Sequence, residues 1–152
     1  MSRDPLERVA LAIAEKAHAG QVDKTGHAYI SHPIRVAERV RQHDPAAAPG
    51  VIAAALLHDV LEDTHLTRND LISAGIPLDV VDVVDAVTKR VGESPEEYFA
   101  RVRSDSRAVA VKRADIEDNT DPERTAQLDE DTRRRLASKY ARSRQLLDGT
   151  LA

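Results

Sequence analysis

The chain has 152 residues, a length suited to one domain, residues 1–152, that buries roughly two-thirds of its unfolded surface. It has no cysteine, which excludes disulfides and thiolate metal ligands, and its 26 acids against 22 bases leave a net charge of −4 and no broad basic field for duplex nucleic acid. The longest strongly apolar stretch, Val51 to Leu57, is far too short to cross a bilayer, and Met1 to Glu7 carry charges and a proline, so a cytoplasmic protein with no membrane partner is expected.

Three Tyr, one Phe and no Trp leave Leu, Val, Ile and Ala to build the core. The first helix is expected to start at Asp4-Pro5-Leu6-Glu7. Asp4 can cap, Pro5 suits the first helical position and Glu7 can reach back. Leu6, Val9, Ala10, Ile13, Ala14 and Ala17 recur at helical spacing, and Gly20 is the expected terminator. Residues 21–31 read as a loop. A second helix is expected from about His32-Pro33, with Ile34, Ala37 and Val40 on one face, followed by a turn over residues 43–50.

Val51 to Leu61 is apolar nearly all round and predicts a central buried helix. Thr67 and Ser94-Pro95-Glu96-Glu97 read as later helix starts. Val80 to Val87 and Ala108 to Ile116 read as packed helices, although the β-branched residues of the former also suit a strand. The last helix, from about Glu130 to Leu147, is amphipathic. Its Leu136, Tyr140, Leu146 and Leu147 can complete the core or meet a second copy in a homo-oligomer, and the core is the favoured reading. No run of alternating strands with hairpin turns is present, so the fold class expected is all-α, a single-domain bundle around one buried helix.

Four metal-binding groups fall in three places. His32 precedes Pro33 where a loop meets a helix, His58-Asp59 ends one apolar run, and Asp115 ends another, Ala108 to Ala114. Burying an unpaired carboxylate is costly, so each of these edge groups needs a partner, and a divalent cation would satisfy two carboxylates and two imidazoles together. Mixed nitrogen and oxygen donors without sulfur suit Mn, Fe, Co, Ni or Zn better than Ca. A His-Asp pair alone is common and carries no function, because buried pairs usually satisfy each other or the backbone. The following residues add weight: Glu62 lies four after His58, and Asp63 four after Asp59. If the helix continues, both acids project over the same face and crowd several carboxylates onto one edge, which calls for a cation or shifted protonation.

Four segments, Ala17-His-Ala-Gly-Gln21, Thr25-Gly-His-Ala-Tyr-Ile-Ser-His-Pro33, Ala54-Ala-Leu-Leu-His-Asp-Val-Leu-Glu-Asp-Thr64 and Val111-Lys-Arg-Ala-Asp-Ile-Glu-Asp-Asn119, together with Val87-Thr88-Lys89, cover nearly the whole chain. In order and spacing they resemble the HD-domain phosphohydrolases, in particular the alarmone-hydrolase domain of RelA/SpoT-type proteins and the stand-alone small alarmone hydrolases. The resemblance implies an HD-type helical bundle and a metal, usually manganese, held by His32, His58, Asp59 and Asp115. It implies that Glu62 and Asp63 activate and position water. It further implies that Lys24, Thr25 and Asn119 line a nucleotide site, to which Tyr140 of the last helix matches more loosely. The implied activity is hydrolysis of the 3′-pyrophosphate of guanosine tetra- or pentaphosphate. A second catalytic domain for alarmone synthesis is not expected, since the chain ends soon after the hydrolase-like helices.

Metal chemistry supplies the same logic from the residues. A bound cation lowers the pKa of its water and holds a phosphoryl oxygen, Glu62 or Asp63 can take the water's proton, and Lys24 can meet a phosphate.

The sequence also departs from the resemblance. The loop before Thr25 carries Asp23-Lys24 where the family has Arg-Lys, with the Arg against the base, and an acid cannot replace a guanidinium stacked on a base. His27-Ala28 follows the loop glycine in place of a pair such as Glu-Pro. Ile116-Glu117-Asp118-Asn119, followed by Thr120-Asp121, suggests a more acidic pocket rim. Arg35, Arg39, Arg90, Arg107 and Arg113 are the nearest candidates to compensate. Two alternatives therefore stand beside the alarmone: an HD-type phosphohydrolase of another nucleotide or phosphoester, and a non-catalytic metal- or nucleotide-binding module, against which the retention of Glu62 and Asp63 argues.

Overall fold

The computed structural model describes residues 4–150, which form ten helices in chain order. They are α1 (Pro5–Ala17), α2 (Ser31–His43), α3 (Pro49–Leu57), α4 (Val60–Asp63), α5 (Arg68–Ser73), α6 (Leu78–Ala86), α7 (Pro95–Arg103), α8 (Ser106–Asn119), α9 (Pro122–Thr125) and α10 (Glu130–Asp148). Among the described residues the only β pairing is an isolated antiparallel bridge between Val22 and Ala28. The protein is a single all-α domain.

The central helix is α3. Pro49 occupies its first turn, and Ile52 through Leu57 are all buried. Helices α1, α2, α6 and α8 surround it. Gly50 lets α3 pack closely on α6: a Cβ there would sit 3.1 Å from Val80 Cγ2. Such a core has no polar side to spare, so His58 and Asp115 can sit at its edge only by finding partners of their own.

Most helix starts follow from capping chemistry. Asp4 accepts from the Leu6 backbone N–H at 2.9 Å, Ser94 Oγ accepts from Glu97, and Thr67 with Asp70 forms a reciprocal capping box at α5. Helix α10 ends on Gly149, whose φ of 73° is left-handed. Its Leu136, Leu146 and Leu147 are buried, and α10 packs on α7 and α8, so the last helix completes the core as expected.

Three expectations are corrected. The apolar run Val51 to Leu61 does not form one helix: α3 stops at Leu57, and Asp59 takes φ −102°, ψ 0°, before the single turn α4. His58 Nδ1 bonds back to the Ala55 carbonyl at 2.7 Å, which favours the break. Helix α1 ends at Ala17 with His18 as its cap, three residues before Gly20, whose φ of 83° serves the loop instead. The buried face of α2 is Val36, Ala37 and Val40, while Ile34 is 43% exposed. The turn α9 had no sequence signal stronger than Asp121-Pro122.

Candidate metal centre and cleft

Each group at the site is delivered by an element end. The break after α3 turns His58 inward and leaves Asp59 at the start of α4, His32 lies in the first turn of α2, and Asp115 faces inward from α8. Asp115 Oδ1 lies 2.9 Å from His32 Nε2 and 3.4 Å from His58 Nε2, and Asp59 Oδ2 lies 3.0 Å from His58 Nε2 and 3.8 Å from His32 Nε2. The four groups that the sequence separates by up to 83 positions therefore meet at one point.

The hydrogen bonds behind the imidazoles fix how they face the centre. His32 Nδ1 donates to Asp118 Oδ2 at 2.7 Å, and His58 Nδ1 donates to the Ala55 carbonyl. These assignments follow from the acceptors, each of which can only accept. Both Nε2 atoms then face carboxylate oxygens, and His58 Nε2 is buried with no hydrogen-bond partner. A nitrogen lone pair and a carboxylate oxygen repel at these distances, so each contact calls for a proton or a cation between the two atoms. His32, His58 and Asp115 offer three donor atoms within 4.8 Å of one another, an arrangement that fits a divalent cation.

The electrostatics agree. Burial alone would depress the basicity of both histidines, but Asp115 and Asp118 around His32, and Asp59 and Asp115 around His58, raise their pKa values above the ordinary range. Burial alone would raise Asp59, but the His58 charge offsets it and pulls its pKa down to about 2. Asp115 is likewise held well below the usual carboxylate range, because Lys112 at 3.0 Å and the two imidazoles overcome its burial. A site that favours positive charge this strongly attracts a metal ion for the same reason. Tyr29 Oη donates to Asp59, and Asn119 Nδ2 donates to Asp115 at 3.0 Å.

Beside the centre lies the acidic edge of α4. Asp59, Glu62 and Asp63 form a second carboxylate group within metal-binding distances of one another. Burial, then the charges of Asp59 and Glu62, raises the Asp63 pKa. Glu62 is held in place by the Lys89 backbone N–H at 2.9 Å, and the Asp63 carbonyl accepts from Gln21 Nε2 at 3.2 Å. The acids therefore reach the edge through the break in the helix, not through its continuation.

A cleft of about 350 Å³ opens above these groups, and Lys24, Thr25, Glu62, Asp63, Asn119 and Tyr140 all line it, whereas His58 lies beneath it. Thr25 is partly committed: its hydroxyl bonds Asp23 Oδ1 and His27 Nδ1, both at 2.6 Å. None of the five arginines proposed to compensate lines the cleft. Arg35 and Arg39 bind Asp118, Arg90 binds Asp85, Arg107 binds Asp105 and Asp79, and Arg113 binds Asp148. The cleft's cations are Lys24, Lys89, Lys112, Lys139 and Arg124. Lys139 lies near enough to Lys89, Lys112 and Lys24 that, after burial, their charges lower its pKa.

The expected acidic rim is also corrected. Glu117 turns away to His43 at 2.6 Å, Asp121 pairs with Arg39 at 2.7 Å, and Asp118 is wholly buried among His32, Arg35, Arg39 and Arg124. Of the departures, Asp23 alone remains on the lining. Reading from the sequence missed Tyr29, Lys112, Asp118, Lys139 and Arg124. Lys112 and Asp118 sit three residues either side of Asp115 on one helix, a spacing that places all three on one face.

The fold and site define an all-α domain whose histidines and aspartates converge from separate helix ends on a cation-favouring centre. The HD domain family model matches residues 10–142, and the chain belongs to that family. It is 34% identical over 137 residues to a Haemophilus influenzae protein named guanosine-3′,5′-bis(diphosphate) 3′-pyrophosphohydrolase, a match covering 84% of this chain and 20% of that protein. A Streptomyces coelicolor protein named GTP pyrophosphokinase is 34% identical over 119 residues, covering 70% of this chain and 13% of that one. The chain thus spans about one-fifth or less of the length of these curated relatives. A solved structure of a metazoan ortholog of SpoT, described as hydrolyzing ppGpp and acting in starvation responses, superposes with a TM-score of 0.81 at 25% identity, covering 99% of this chain and 89% of that one.

Proposed function

We propose that the protein is a manganese-dependent hydrolase that removes the 3′-pyrophosphate of guanosine tetra- or pentaphosphate. The observation that carries the reading is the convergence of two imidazole Nε2 atoms and two carboxylates beside an acidic edge, in a cleft that lysines also line. Its similarity to relatives named for this reaction supports the substrate.

His32, His58, Asp59 and Asp115 would hold the cation. When bound, it supplies Lewis-acid polarisation of a phosphoryl oxygen and a more acidic water. The chain's own groups do the rest. Asp63, its affinity for protons raised by Asp59 and Glu62, takes the proton of the attacking water. Glu62 orients that water from the position fixed by the Lys89 N–H. Lys24, Lys89 and Lys139 meet phosphate oxygens along the cleft, whose lining includes Tyr140. The bond from phosphorus to the ribose 3′-oxygen breaks, the water oxygen remains on the released pyrophosphate, and the 3′-oxygen takes up a proton.

Asp23 favours a second reading, the same hydrolysis on another phosphorylated nucleotide. Purified protein with Mn²⁺ and a nucleotide panel, with products separated chromatographically, tests both. Release of pyrophosphate and guanosine 5′-diphosphate from guanosine tetraphosphate supports the first reading. Intact guanosine tetraphosphate alongside turnover of a different nucleotide supports the second, and no turnover of any phosphoester supports a binding module.

A further inference from the structure

We propose that Arg124 is the surface on which the nucleobase stacks, an inference that rests on the nucleotide reading above. Arg124 belongs to α9 and lines the cleft with a side chain about one-fifth exposed (21%). Its guanidinium is committed at both ends. Nη1 donates to the Asp118 carbonyl at 2.9 Å and to Asp118 Oδ2 at 3.1 Å, while Nη2 lies 3.5 Å from Asp23 Oδ2.

Asp23 is itself rigid. Its Oδ1 accepts from the Thr25 N–H at 2.9 Å, the Thr25 hydroxyl at 2.6 Å and the His27 N–H at 3.0 Å, and its side chain is only 7% exposed. The residue that looked like a lost contact in the sequence is half of a clamp across the cleft floor. The clamp joins the loop of residues 21–30 to α8 and, through Asp118, to His32.

Two carboxylates oppose the guanidinium charge and engage both of its terminal nitrogens. A phosphate arriving there would have to displace them, whereas no carboxylate pairs with Lys24, Lys89 or Lys139 among the described residues of the same cleft. The division of labour follows: lysines for phosphate oxygens, and the flat face of Arg124 for a flat ligand group. A guanidinium plane is a good partner for a base, and one already fixed by two acids loses little freedom on binding. A guanidinium stacked on an aromatic base and screened from water is expected to add about tenfold in affinity.

The test is calorimetric binding of guanosine 5′-diphosphate and of ribose 5-diphosphate, which lacks the base, to wild type and to Arg124→Lys. Lysine keeps a charge between Asp118 and Asp23 but has no plane. The expected result is about a tenfold loss for guanosine 5′-diphosphate with ribose 5-diphosphate little changed. Asp23→Asn, which loosens one end of the clamp, is expected to give a smaller loss with the same selectivity. Equal losses for both ligands, or no loss for either, would overturn the proposal. Because binding is read directly, the outcome stands apart from turnover: wild type that binds guanosine 5′-diphosphate but cleaves no guanosine polyphosphate sinks the functional reading and leaves the stacking surface intact.

Discussion

His32 donates from Nδ1 to Asp118 Oδ2 at 2.7 Å, a bond that ties the first turn of α2 to the last turn of α8. Asp118 is fully buried and also receives Arg35, Arg39 and Arg124, so one carboxylate sets the orientation of an imidazole and is shared by three guanidinium groups, two of which have a second acid in Asp121 or Asp23. Burial would raise its pKa, but His32 and Arg35 hold it well below the ordinary range.

Asp118→Ala should therefore weaken Mn²⁺ binding by about 10- to 100-fold, the usual cost of losing a partner behind a metal-binding histidine. It should also destabilise the fold by roughly 3–5 kcal/mol, because the arginines lose their buried counter-charge. Metal titration against a competing chelator and urea denaturation measure the two effects separately.

The acidic turn α4 is expected to serve turnover more than metal retention. Glu62→Gln with Asp63→Asn should lower kcat by at least about 100-fold, within the range general acid–base groups supply. Mn²⁺ binding should stay close to wild type. Pyrophosphate release and metal titration on the same preparation check this, and a proportional loss of metal would assign both acids to ligation.

Gln21 reaches from the loop after α1 to the Asp63 carbonyl at 3.2 Å, while its Oε1 pairs with His18 Nδ1 at 2.9 Å. Gln21→Leu removes a hydrogen bond worth about 1 kcal/mol to the placement of α4. A several-fold fall in kcat with little change in KM is expected, and steady-state kinetics read the split. A change confined to KM would move Gln21 to a substrate-binding role.

Leu57 is fully buried at the end of α3, one residue before His58. Leu57→Ala should cost about 2–5 kcal/mol of stability through lost burial and the cavity left behind. Thermal unfolding measures that cost, and Mn²⁺ should recover part of it, since a ligand that binds only the folded state stabilises it.

The fold was largely legible because helix signals here are local. Asp4-Pro5, Thr67 and Ser94-Pro95 cap helices by chemistry confined to three or four residues, and the apolar run after Pro49 leaves no polar face for a surface helix. The break at His58-Asp59 was not legible. It depends on the turn in which His58 bonds Ala55, and on the tertiary partners that await both side chains. Periodicity continues across it. The same limit explains the charges around the cleft. Spacing brought out His32, His58, Asp59 and Asp115 as polar groups at the edges of apolar runs. Whether an acid such as Glu117 or Asp118 faces the cleft, a distant histidine or a set of arginines is decided by packing between α2 and α8. Arg124 could not be read at all, since its two partners lie in a loop 101 residues earlier and on the preceding helix.

The central claim is tested most directly by incubating the purified protein with Mn²⁺ and guanosine tetraphosphate and identifying the products. The account predicts guanosine 5′-diphosphate and pyrophosphate in equal amounts, with turnover abolished by a chelator and by Glu62→Gln with Asp63→Asn. Intact guanosine tetraphosphate under conditions where the protein binds Mn²⁺ would contradict it.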